Sequence, residues 1–236
     1  MTTGNGPQSP HPSAVINGDL YPDLVRMGGL TMAVIGVAAE HRIDIGEVLE
    51  ASGKERLLSA KMASGSNLVS VLLGARERRF SITVSRNRHV GASGGTDDLL
   101  ATVRMASYWL GGSTLAELSA RFPFMSYNAL SAAHERGNPL EFQWKWLLTH
   151  DAFAEIRHVL QAVHAVESLR SLFPIITHGT LLRLYDDIDL RPEGQYWIAM
   201  RADGTYRVEV PRDGRSEVLG SLAAAVETLV SYVRLS

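Results

Sequence analysis

Apolar residues recur along this chain in two rhythms, and the rhythm changes several times. Leu24, Met27, Leu30, Val34, Val37 and Ala38 follow one another at steps of three and four, the spacing that lines one face of a helix. Tyr21-Pro22-Asp23 opens this helix, since a proline in the first turn gives up an N–H that has no helical partner there. The pattern runs out near His41. A period of two then takes over. Phe80, Ile82 and Val84 alternate with Ser81, Thr83 and Ser85, as in a half-buried strand. Strands are expected at 56–62, 68–73 and 79–85, with polar turns at 64–67 and 75–78. A glycine-rich loop over 91–95 leads to Thr96-Asp97-Asp98, a capping hydroxyl followed by two acids, which predicts a helix running to Leu110 and stopped by Gly111-Gly112.

A second short helix is expected at 115–120, capped by Ser113 or Thr114. Phe122-Pro123-Phe124-Met125 interrupts the pattern, and a helical middle follows at 129–134, 140–148 and 152–172, ended by Pro174. Strands return at 195–200, 205–210 and 217–219. Asp203-Gly204 and Asp213-Gly214 mark their turns, because Asp-Gly supplies the positive φ that tight hairpins need. Ser221 caps a closing helix with Leu222, Val226, Leu229 and Val233 on one face. The run Phe80-x-Ile82-x-Val84, loop, capped helix is mirrored by Tyr206-x-Val208-x-Val210, loop, capped helix, through duplication or through a common unit met twice. Either origin predicts an α+β fold: antiparallel β-meanders each followed by a helix, with a helical middle segment. Residues 1–19, rich in Gly, Pro, Ser, Thr and Asn, are expected to be a disordered tail. The remainder, 20–236, reads as one α+β domain with halves at 20–121 and 173–236 joined by helices over 122–172.

Composition narrows the function classes. The net charge of −2 argues against nucleic-acid binding through bulk charge. The run Arg76, Arg78, Arg79, Arg86, Arg88 flanks a strand and reads first as its solvated turns. The chain has no cysteine, so thiolate zinc sites and disulfides are excluded, and a cytoplasmic setting is expected. No basic segment followed by an apolar run opens the chain, and 30–39 is too short to span a bilayer, so no export and no membrane partner are expected.

Familiar catalytic motifs are missing. Gly91, Gly94 and Gly95 before a helix form a poor phosphate cradle, because Asp97 and Asp98 would repel an anion. The eight histidines include no pair at i, i+4, and Asp186, Asp187 and Asp189 could hold Mg²⁺ only weakly, so no metal or other cofactor is expected. Trp109, Trp144, Trp146 and Trp197 read as packing anchors. His178 beside Gly179 is a candidate general acid or base, or a loop histidine bonded to the backbone. His134, Glu135 and Arg136 before Gly137 read as a helix C-terminus.

Phe122-Pro123-Phe124, Ala133-His134-Glu135-Arg136-Gly137 and Leu172-Phe173-Pro174-x-x-Thr177-His178-Gly179-Thr180-Leu181, with Asp98-Leu99 and Trp109-Leu110-x-Gly112, carry a resemblance. Over about 21–233 the chain resembles an uncharacterised bacterial domain-of-unknown-function family labelled "natural product biosynthesis protein". The resemblance implies a setting in specialised-metabolite, antibiotic-type gene clusters and raises His178 and His134 as candidates. After His-Gly-Thr-Leu this chain carries Arg183-Leu184-Tyr185-Asp186-Asp187 in place of the family's aromatic-rich stretch.

Two functions are therefore expected. The first is a cofactor-independent enzyme or pocket protein acting on a small biosynthetic intermediate, with His178 as acid or base and His134, Glu135 or Arg136 as its partner. The alternative is a non-catalytic protein binding a carrier protein, peptide or pathway enzyme, with the region from Arg76 to Arg88 meeting an acidic surface.

Overall fold

A computed structural model describes residues 15–186 and 194–234. The protein is α+β, and it divides into two compact units, Met1–Glu135 and Arg136–Ser236. The helical middle expected to join two halves is instead shared between the units.

The first unit runs α1 (Pro22–Met27), α2 (Leu30–His41), β1 (Glu47–Val48), α3 (Glu55–Leu58), β2 (Ser59–Ser64), β3 (Asn67–Leu73), β4 (Phe80–Arg86), β5 (His89–Thr96), α4 (Leu99–Leu110), α5 (Leu115–Arg121), β6 (Met125–Ser126) and α6 (Ala129–Arg136). Its six strands form an antiparallel meander in chain order. The period-two pattern works as expected. Val69, Val71, Phe80, Ile82 and Val84 are buried with Leu30, Val34, Val103 and Trp109, while Leu72 and Ser81 on the other face are exposed.

Four local expectations change here. The helix expected from Pro22 to His41 is two helices. Gly28 and Gly29, at φ 87° and 110°, turn the chain between them, and a Cβ on Gly29 would lie 2.7 Å from Leu57 Cδ2. The strand expected at 56–62 opens instead as α3 and becomes β2 only at Ser59. The expected loop 91–95 is part of β5, where the glycines admit a close neighbour: a Cβ on Gly94 would lie 2.0 Å from the Phe124 carbonyl oxygen. The cap of α4 is Asp98, whose carboxylate accepts the Ala101 N–H, while the Thr96 hydroxyl accepts the Asp98 N–H. Of the expected tail, residues 1–14 lie outside the described residues. Within 15–19, Ile16 is buried and the Asn17 carbonyl accepts the Tyr21 N–H, so order begins before Asp19.

The second unit runs α7 (Pro139–Thr149), a 3-10 turn at Asp151–Phe153, α8 (Arg157–His164), α9 (Glu167–Arg170), β7 (Phe173–Thr177), β8 (Leu181–Tyr185), β9 (Gln195–Met200), β10 (Tyr206–Val210), β11 (Arg215–Leu219) and α10 (Leu222–Arg234). Its five strands are again an antiparallel meander, in the order β11-β10-β9-β8-β7. Leu184, Ile198 and Val208 are fully buried with Leu160, Val163 and Leu229. The helix expected over 152–172 is broken into three pieces. Pro174, expected to end it, sits inside β7, an edge strand where a missing N–H is tolerated. Among the described residues no helix is long and apolar enough to cross a membrane.

Candidate functional site

The tip of the β4–β5 hairpin builds a small cleft of the first unit. Asn87 and Arg88, at φ 51° and 71°, make a two-residue turn that pairs Arg86 with His89 across the hairpin. Arg86 then organises its surroundings. Its Nε donates to Asn67 Oδ1 at 2.7 Å and its Nη2 to the Ser113 carbonyl at 2.7 Å. Its guanidinium carbon lies 4.5 Å from the centre of the Trp109 ring, and Nη1 pairs with Glu135 Oε1 at 3.3 Å. The Glu135 carboxylate also accepts the Leu115 N–H, at 3.0 and 3.2 Å, which satisfies a first-turn donor of α5. Thr114 and Glu117 complete a capping box on the same turn.

His89 opens β5 and His134 lies near the end of α6; their rings face each other with centres 4.4 Å apart and planes inclined by 32°. The pair lines a cleft of about 110 Å³ with Arg86, Gly91, Trp109, Ser131 and Glu135. The Ser131 hydroxyl donates to the Val90 carbonyl at 3.2 Å and ties α6 to β5. A Cβ on Gly91 would lie 2.9 Å from Leu115 Cδ2, so glycine lets the hairpin meet α5. Burial lowers the pKa of His134 below the ordinary histidine value, and the neighbouring His89 adds to the effect. A neutral imidazole beside a second imidazole can accept a proton from a bound molecule.

The expected site residues are thereby separated by role. His134 lies in the cleft. Glu135 lies there too, but both its oxygens serve Leu115 and one serves Arg86, so it holds the cleft together. Arg136 is the last residue of α6. His178 is in the second unit, at the exposed tip between β7 and β8, with positive φ (51°) followed by Gly179 at 75°. Among the described residues no hydrogen bond involves its ring. His89 has no place in the sequence reading, and Arg86 appears there only within the basic run. The Asn87-Arg88 turn between two strands was the signal, since a two-residue hairpin forces its flanking residues to face each other.

The basic run is also partly committed. Arg78 makes two 2.8 Å hydrogen bonds to the Asp23 carboxylate and lowers its pKa, so this arginine fastens α1 to the sheet. In the second unit a wider groove of about 610 Å³ runs along Leu140, Trp144 and Leu148 of α7, with His164 and Arg170 among its other lining residues. Its Trp144 Nε1 is already bonded to the Arg170 and Leu172 carbonyls. Among the described residues no three histidine, aspartate or glutamate side chains group as metal ligands. Of the acidic cluster, Asp186 is described, while Asp187 and Asp189 lie outside the described residues.

The second unit is thus an antiparallel meander with helices packed on it, and its sequence finds a counterpart. Residues 138–234 match a family of unknown function, DUF6193. The match covers nearly all of the second unit and stops short of the first, which carries the histidine cleft. No curated protein and no solved structure matches the chain.

Proposed function

We propose that the first unit binds a small-molecule intermediate of specialised-metabolite biosynthesis in the cleft at the β4–β5 tip, and that His134 moves a proton on it without a cofactor. The observation that carries this reading is the facing pair of His89 and His134 at the cleft, with the pKa of His134 lowered by burial. An imidazole in the cleft wall can take a proton from a bound molecule and return it. Arg86 and Glu135 fix the walls, and the buried Trp109 ring backs the Arg86 guanidinium from the core side. The metabolic setting rests on the sequence resemblance alone. The alternative, a non-catalytic protein meeting an acidic carrier through the Arg76 to Arg88 region, is weakened because Arg78 and Arg86 are engaged within the unit.

The test compares the wild type with His134→Asn and His89→Asn, each checked for native circular dichroism. Each is incubated with small-molecule extract of producing cells and followed by untargeted mass spectrometry. At least one compound should be consumed by the wild type and spared by both variants. Native mass spectrometry should show the same compound bound to the variants. If the wild type consumes nothing that the variants spare, the proton-transfer role is wrong.

A further inference from the structure

A second cleft of the first unit, lined by other residues, gathers positive charge. Arg42 at the end of α2, Arg104 in α4 and Arg121 at the end of α5 all line it, with His41 beside them and Asp44 as the only carboxylate among its lining residues. It encloses about 630 Å³. The Asp44 carboxylate accepts the Gly46 N–H at 2.9 Å. Among the described residues, none of the three guanidinium groups has an ion pair or a hydrogen bond, unlike Arg78 and Arg86 of the same unit. Three arginines without an ion pair around one opening, in a chain whose net charge is −2, make a local positive field.

Two details mark the site, a backbone cost at Arg42 and an aromatic contact at Arg121. Arg42 occupies the left-handed cap of α2 (φ 55°, ψ 42°), a position that glycine fills without strain and an L-residue does not. The guanidinium of Arg121 lies 4.7 Å from the centre of the Tyr108 ring, and Tyr108 packs on Phe122 with centres 5.9 Å apart. The cleft therefore joins a cationic rim to an aromatic surface. The helix dipole accounts for basic residues at the ends of α2 and α5, where Arg42 and Arg121 stand. It does not account for Arg104, which lies in the middle of α4 on its exposed side.

We propose that this cleft binds a phosphate-bearing small molecule, its anionic end held by Arg42, Arg104 and Arg121 and its flat apolar part laid against Tyr108 and Phe122. Guanidinium groups suit phosphate oxygens because their planar fork donates two parallel hydrogen bonds. The proposal is independent of the role assigned to His134.

Inorganic pyrophosphate is the probe. Calorimetric titration of the whole protein should show saturable binding, and pyrophosphate should raise the melting temperature more than sodium chloride of equal ionic strength. Arg104→Gln and Arg121→Gln should each weaken binding by about tenfold or more. Arg42→Gly keeps the left-handed cap and should weaken binding equally without lowering the melting temperature of the free protein. Citrate, a polyanion of different geometry, should bind distinctly more weakly. Unchanged affinity in the three variants, equal affinity for citrate, or a shift reproduced by sodium chloride each overturns the proposal.

Discussion

The hairpin tips of the two units invite comparison. Between β4 and β5, Asn87 and Arg88 both have positive φ; between β7 and β8, His178 and Gly179 do too. Both loops use two successive positive-φ residues, in a two-residue loop at the first tip and a three-residue loop ending in Thr180 at the second, and their surroundings differ. In the first unit the residues flanking the turn, Arg86 and His89, reach α4, α5 and α6 through Trp109, Glu135 and His134. In the second unit the histidine is in the turn itself and points no hydrogen bond at any described residue. In the second unit the histidine beside a glycine sits in an exposed turn with no hydrogen-bond partner among the described residues. In the first, a histidine is made chemically distinctive by what packs against it. The signal for a site is the set of partners around the flanking pair, and turn composition carries little of it.

The largest effect expected from breaking this contrast is at Arg86. Arg86→Ala removes hydrogen bonds to Asn67 and Ser113, the pairing with Glu135 and the stacking on Trp109 together. Both charged side chains keep about a quarter of their surface exposed, 28% for Arg86 and 23% for Glu135. Solvent screening therefore lowers the loss below that of a fully buried pair. We expect a destabilisation of about 2 kcal/mol, in denaturant unfolding or in the exchange of first-unit amides. A double-mutant cycle with Glu135→Gln separates the pair from the packing. A loss below about 0.5 kcal/mol would mean that Arg86 is an ordinary surface arginine.

Much of the fold could be read from the chain. Alternation at Phe80, Ile82 and Val84 located β4, and Asp203-Gly204 located the turn before β10. What escaped detection had opposing local cues. Gly28 and Gly29 sit inside an unbroken apolar helical rhythm, so the break between α1 and α2 was hidden by the very residues that bury both. Strands β7 and β8 were lost because Pro174 reads as a helix stop, and only the sheet order shows that it is tolerated on an edge. The site was half legible. His134 stood out, but its partner His89 lies 45 positions away in sequence, and only the packing of α6 on β5 brings them together. Glu135 was visible as a carboxylate beside a histidine. Its task, capping a helix 20 residues upstream, depends on tertiary packing that no local pattern encodes.

A smaller effect separates the histidines by pH. Burial lowers the pKa of His134 in the first unit, and burial with the Arg170 charge lowers that of His164 in the second. In the unfolded chain both titrate near the ordinary value of 6.5. As pH falls through that value the unfolded state takes up protons that the folded state refuses, so stability falls until the depressed folded pKa is passed. Above the ordinary value both states are neutral and this contribution is flat. Unfolding measured from pH 7.5 to pH 5 should therefore show stability decreasing with acidification, and His134→Asn should flatten that slope. An identical slope in the variant would mean that His134 titrates as it does in the unfolded chain, and the neutral base assigned to the cleft would lose its basis.

The smallest expected effect is at His178. Its left-handed backbone at 51° suits glycine best and is tolerated by asparagine, aspartate and histidine more than by other side chains. His178→Asn places asparagine before Gly179, the pairing that hairpin turns favour. If the residue serves only the turn, stability stays within about 0.5 kcal/mol of wild type or rises slightly. Consumption of any compound that depends on His134 then also stays unchanged. A variant that folds normally but loses turnover would show that the exposed tip of the second unit takes part in the chemistry. The site would then have to be sought at that hairpin as well as in the cleft. The two measurements are read together, because unchanged stability is expected under either outcome and only turnover separates a turn residue from a reacting one.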